Sequence, residues 1–193
     1  MKKEGKYDLI LDAAIEVMTE QGFEKAAVSQ IVKRAGVAQG TFYLYFSSKS
    51  EIIPAIAERI FNEQMDEIQQ LDESSSDFYD TLKIVIDVTF DITAKYKEVI
   101  IFCYSGIAFY HSFKRWEEIY KPYYDWVEER FKQSIENHAV SSTIPITSQV
   151  KMMINTIENT AETYFFSNSE HDERSIKQLK ENVYQFLTRT ITR

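Results

Sequence analysis

Glycine and proline are scarce in this chain: five and three among 193 residues. So few turn formers exclude collagen-like and low-complexity chains, and they cannot punctuate a many-stranded sandwich. The single cysteine, Cys103, cannot close an internal disulfide, which suits a reducing compartment. With Phe102 and Tyr104 beside it and no cation near in sequence, it reads as an inert thiol. Long hydrophobic runs are missing too. The oiliest stretch, Val99 to Tyr110, is interrupted by Ser105 and Gly106 and falls short of the roughly 20 residues that span a bilayer. No apolar segment follows Lys2 and Lys3, so no secretory leader is expected. His111, His138 and His171 are too scattered for a metal site. No Gly-x-Ser-x-Gly elbow, phosphate-cradling glycine loop or dinucleotide fingerprint occurs, and Tyr104-Ser105-Gly106 is no nucleophile motif. The expectation is a soluble, cytoplasmic, all-α protein with no membrane segment, no cofactor, no metal and no catalytic residues.

What is present fits that outline. Hydrophobic residues make up 44% and charged residues 27%, enough for a folded core. Net charge is −8, which taken alone argues against a nucleic-acid partner. The charge is uneven, however. Residues 1–50 carry seven Lys and Arg against six Asp and Glu, and all the net acidity lies beyond them. Four of those acids, Asp8, Asp12, Glu16 and Glu20, fall on one helical segment, which leaves other surfaces free to be positive. A patch binds DNA, not a net charge.

Ile10, Ala13, Ala14, Val17 and Met18 form the stripe of an amphipathic helix over 6–20, which Gln21-Gly22 ends. A short helix over 28–35 stops at Gly36, and a third runs from Ala38 to Tyr45. Two helices of about eight residues around a glycine turn make a helix-turn-helix pattern. Ser48-Lys49-Ser50-Glu51 reads as a capping box that opens a helix to about Leu71, with Pro54 in its first turns. Asp72 to Asp77 is the clearest linker. Helices are expected over 78–94, 98–105, 109–138 (broken near Pro122), 147–166 and 172–190, about nine in all.

Gly22-Phe23, the run Val28 to Val37, Gly40-Thr-Phe-Tyr-Leu-Tyr-Phe46 and Ser48-Lys49 together resemble the DNA-binding domain of the TetR family of transcriptional regulators, over about positions 7–53. The resemblance implies a DNA-binding domain over 1–50 and an effector-binding and dimerisation domain over 51–193. Gly36 allows the tight turn, Val37 fills the space between the helices, and Gly40 lets the recognition helix approach the duplex. By resemblance Gln39 faces base edges, where its amide can pair with adenine, and Thr41, Tyr43, Tyr45 and Lys49 contact the backbone or nearby bases. Phe42 and Phe46 read as core, and plain packing is the competing reading of Tyr43 and Tyr45. Lys2, Lys3 and Lys6 form either an arm along the DNA or a bare tail. Two family hydroxyls are absent. Ala26-Ala27 precede the second helix, so either Ser29 serves as cap and phosphate donor or the cap is missing, and Ala38 stands where the family has Ser.

Thirteen aromatics lie between Phe90 and Phe131. Aromatics at helical spacing are ordinarily core, yet so many tyrosine hydroxyls need partners, and the family encloses an effector cavity among its middle helices. Trp116, Tyr120, Tyr123 and Tyr124 are the candidate walls, with Phe102 and Tyr104 opposite. Glu158 and Asn159 either face solvent or reach into the cavity, where a carboxylate would select a cationic or hydrogen-bonding effector. The implied partners are double-stranded operator DNA, a small apolar or aromatic effector, and a second copy joined through the last two helices. The implied role is a one-component regulator, a repressor released by effector. The alternatives are a helical adaptor for a protein partner and an enzyme housed in the aromatic cavity.

Overall fold

The stripe of the first helix does what its spacing predicts. In a computed structural model of the chain, Ile10, Leu11, Ala13, Ala14, Val17 and Met18 are all buried on α1 (Lys6–Lys25). The structure describes residues 5–109, 113–137, 140–167 and 172–191, with the side chains of 102–109 and 113–116 outside that description. Gly22, with φ +79° and ψ 160°, breaks the α1 geometry and turns Phe23–Lys25 off its axis. Next come α2 (Val28–Ala35) and the five-residue α3 (Gln39–Tyr43). Between them Gly36 adopts φ +66°, a left-handed turn that a side chain would strain, and Val37 N–H closes on Val32 O at 3.0 Å. A single 3₁₀ turn, Lys49–Glu51, leads into α4 (Ile52–Asp72). The expected box is only half there. Ser48 makes no side-chain cap, while Glu51 Oε2 accepts from Ser47 N–H at 3.0 Å.

The remaining helices are α5 (Phe78–Phe109), α6 (Phe113–Glu136), α7 (Ile146–Ser167) and α8 (Glu173–Thr188), and no β-strand occurs among the described residues. The described residues form eight α-helices, close to the expected nine. The break expected at 95–97 is a kink at Tyr96 (φ −112°, ψ 16°) within one helix. The break expected at Pro122 is absent. Pro122 is exposed, so water can serve the carbonyl whose amide partner the ring removes.

The chain forms two compact units, Met1–Phe61 with Tyr96–Ser112, and Asn62–Lys95 with Phe113–Arg193. The first therefore takes in the opening turns of α4, eleven residues beyond the expected boundary. The reason is visible in its side chains: Arg59 on α4 ion-pairs with Asp8 and, at 3.2 Å, with Asp12, both on α1. In the second unit Phe78 and Phe131 pack at 4.6 Å between ring centroids, and Val150, Met153, Ile154, Ile157, Ala161, Val183 and Leu187 bury the facing stripes of α7 and α8.

The segment read as a linker is tied down. Asp72 is buried and accepts from Thr81 Oγ1 (2.6 Å) and Ser75 Oγ (2.8 Å), while Arg130 of α6 meets it at 2.7 Å and also donates to Ser75 at 2.7 Å. Asp77 caps α5 by accepting from Tyr79 and Asp80 amides. Removing one member of a buried pair strands the other. Asp72→Ala is expected to cost about 3 kcal/mol in urea unfolding. A loss under about 1 kcal/mol would show that Ser75 and Thr81 hold the turn without it.

Candidate nucleic-acid interface and buried polar site

The first site begins with the way α2 is fixed. Arg34, in its last turn, forks onto Glu20 (2.5 and 2.8 Å) and reaches Glu16 at 3.5 Å. The bond to Arg34 holds the Glu20 carboxyl below its usual range. Four of the five acids of α1, Asp8, Asp12, Glu16 and Glu20, are therefore paired with Arg34 or Arg59. At the N-terminus of α2, Gln30 Oε1 accepts from Ala27 N–H at 2.7 Å, and its amide donates to Gln21 at 3.3 Å. Gln30 thus satisfies the Ala27 amide, while the first-turn amides of α2 receive no side-chain cap and Ser29 is left exposed.

On the recognition segment Phe42 and Phe46 are buried, as expected, with rings 5.4 Å apart. Gln39, Gly40, Tyr43 and Tyr45 are exposed and Thr41 is half-buried. Tyr43 is 51% and Tyr45 46% accessible, and each rests an edge on the small core, Tyr43 against Phe42 at 5.4 Å and Tyr45 against Tyr7 at 5.6 Å. Packing and exposure are both true of these two rings. Lys6 is exposed; Lys2 and Lys3 lie outside the described residues.

Lys49 departs from expectation. Its ammonium group donates to Phe23 O (2.8 Å), Ala26 O (2.9 Å) and, at 3.4 Å, Glu24 O, and stands 4.3 Å from the centroid of the Phe23 ring. All three of its donors are taken up by carbonyls at the end of α1, where it serves as a cap.

The second site lies in the other unit. Tyr120, Tyr123 and Tyr124 on α6 lie near Glu158 on α7. Tyr123 is fully buried on the side of α6 that faces Thr89 of α5 and Gln64 of α4, and the Gln64 amide donates to the Thr89 hydroxyl at 3.2 Å. Burial pushes the Tyr123 phenol up, and the Glu158 charge adds to it. Tyr124 is pushed up to about 12 by burial, then by Glu158 and Glu117. Lys151 stands 5.3 Å from its ring centroid. Glu158 itself is raised to about 8 by burial and by the charge of Glu162 one turn on, against a hydrogen bond from Tyr120 that lowers it.

Asn159 does not join this group. It is exposed, about 100° round α7 from Glu158, and lines an open groove of about 630 Å³ with Ile144, Met152, Met153, Phe186 and Leu187. The side chains of Phe102, Tyr104, Trp116 and Cys103, with all three histidines, lie outside the described residues. Among the described residues no three His, Cys, Asp or Glu side chains converge on a metal position, and no helix is long and apolar enough to cross a membrane. Gln64 and Thr89 were missed in the sequence, although each is a polar residue at an apolar position of its stripe.

Comparison with known proteins bears on both sites. The family described as "Bacterial regulatory proteins, tetR family" matches residues 10–56, and "Tetracyclin repressor-like, C-terminal domain" matches residues 82–191. The chain is 47% identical to the Bacillus subtilis "Uncharacterized HTH-type transcriptional regulator YvdT", covering 97% of this chain and 95% of that one. It is 26% identical to the "Fatty acid metabolism regulator protein" of Bacillus subtilis over 89% of each. Among solved structures, the fatty acid degradation regulator FadR from Bacillus halodurans superposes with a TM-score of 0.75 at 25% identity, covering 97% of this chain and 96% of that one. These relatives are regulators, not enzymes.

Glu158 carries a pH test. Its carboxyl titrates near 4.5 in an unfolded chain and about 8 when folded, so between those values the folded chain holds the extra proton. Stability is therefore expected to fall as pH rises from about 5 to about 8, and urea titrations of Glu158→Gln are expected to lose that slope. A slope unchanged in the variant would place the titrating group elsewhere.

Proposed function

The chain belongs to the TetR family of bacterial transcriptional regulators, and from that premise we propose that this DNA-binding regulator is a dimeric repressor whose hold on a two-fold operator is released by a small apolar effector. The observation that carries the reading is α3. Directly after the Gly36 turn it buries Phe42 and leaves Gln39, Gly40, Tyr43 and Tyr45 in the open. The Gln39 amide has the geometry for an adenine edge, and the hydroxyls of Ser29, Thr41, Tyr43 and Tyr45 are suited to phosphate oxygens. Lys49 supports this surface through its carbonyl cap. Work on chromosomal DNA places the protein in the cytoplasm.

One helix-turn-helix reads half a site, and a two-fold dimer presents two, one turn of DNA apart. The α7–α8 groove supports pairing through the last two helices, because Phe186 (59% accessible) and Met152 stand apolar and exposed along it. The proposed effector site is built on Tyr120, Tyr123, Tyr124 and Glu158, which supply hydrogen-bonding groups beside an otherwise apolar bundle. Two of the relatives named above regulate fatty acid metabolism or degradation, which makes an acyl compound the first effector to test. Release requires that the effector bind more tightly to the geometry that no longer fits adjacent grooves. α4, which lends residues to both units, is the proposed transmitter.

The direct test is fluorescence anisotropy with DNA from upstream of its own gene, before and after adding acyl thioesters and free fatty acids. Selective binding to a two-fold site that an acyl compound reverses is expected; equal binding to all sequences would overturn the reading. Tyr43→Phe, which removes one hydroxyl per half-site, is expected to weaken that binding about fivefold to tenfold. Unchanged affinity would take Tyr43 off the phosphate. Phe186→Glu is expected to sediment as monomer at micromolar concentration, and an unshifted dimer would move the pairing surface off α8.

A further inference from the structure

We infer that Leu44 reads a thymine: on the face that Gly40 leaves open, its side chain packs on the C5 methyl of a thymine in the major groove. The inference rests on the DNA-binding reading above and adds to it one residue and one base.

Two independent observations meet here. Leu44 is 81% accessible, the most exposed of the large hydrophobic residues described. Its neighbours Tyr43 and Tyr45 both lean on the small core, but Leu44 follows α3 as its C-cap residue and stands out from it. A single exposed leucine is ordinary. The second observation is Gly40, one turn earlier. Its φ is not among the positive ones, and a Cβ built on it would meet nothing within 4 Å. Neither backbone conformation nor internal packing therefore asks for glycine, although glycine costs a helix about 1 kcal/mol relative to alanine.

Residues four apart share a helix face, and helical side chains lean toward the preceding turn. Leu44 and Gly40 thus share a face of the segment, on which the space beside residue 40 is open and Leu44 is an exposed apolar group. The occupant is duplex DNA, because that face lies on the same short segment as Gln39, Thr41 and Tyr43. In the major groove the apolar feature that a base edge offers is the thymine methyl.

The test replaces thymines of the protected half-sites one at a time with deoxyuridine, which keeps every hydrogen-bonding group and lacks the methyl. With the unaltered protein, one position per half-site is expected to lose about fourfold in affinity on replacement, the worth of one buried methyl-sized group. With Leu44→Ala the same replacement is expected to cost nothing further, and with Leu44→Met, which keeps the bulk, the loss is expected to return. If Leu44→Ala binds too weakly to titrate, the scan with the unaltered protein and Leu44→Met decides alone. Specific two-fold binding with no thymine sensitive to replacement, or the same loss in Leu44→Ala, overturns the role of Leu44 while leaving the regulator reading intact. No preference for any two-fold site overturns both. A changed sedimentation coefficient for Leu44→Ala would assign the residue to a contact between copies and also overturn the inference.

Discussion

Two guanidinium groups hold the acidic side of α1, and the reading surface depends on them. Arg34 takes Glu16 and Glu20 from α2; Arg59 takes Asp8 and Asp12 from α4. These are exposed or half-exposed pairs, each worth little by itself. Their effect is positional. They gather four carboxylates onto the side of α1 that α2 and α4 cover, so the same sequence that is acidic overall can present a recognition segment with no acid of its own from Gln39 to Phe46. The buried residues Ile31, Val32, Phe42 and Phe46 hold that segment from behind.

The second unit works under the opposite constraint, that polar groups inside an apolar bundle must find partners. Gln64 finds Thr89, and Asp72 finds Arg130, Ser75 and Thr81. Glu158 is the exception. Tyr120 is its hydrogen-bonding partner, its nearest charged neighbour is another carboxylate, and the cost appears as the retained proton.

Much of the first unit was legible because its signals are local. The Gly36 turn, the Phe42 and Phe46 anchors and the stripe from Ile10 to Met18 each depend on residues within one or two turns. What the sequence hid depends on distance along the chain. Lys49 reads as a cation free for phosphate until the fold brings it to carbonyls more than twenty residues earlier. The run from Asp72 to Asp77 reads as a loose linker until Arg130 arrives from α6. The gap read between 94 and 98 and the break or kink expected near Pro122 both fall inside continuous helices, the first as a kink at Tyr96 and the second at an exposed ring. Glu158 and Asn159 could not be told apart by composition; one residue of helical rotation puts them in different surroundings.

The commitment of Lys49 and Arg34 within the fold has a consequence for the physics of the complex. A regulator that grips phosphates with ammonium and guanidinium groups displaces condensed counterions, and its affinity collapses as salt rises. Here two of the seven basic residues in the first fifty are tied internally, and hydroxyls and an amide stand where those cations would reach out. Neutral donors release no counterions. A grip made of the proposed hydroxyl and amide contacts would fade more slowly with ionic strength than the count of basic residues in the sequence suggests.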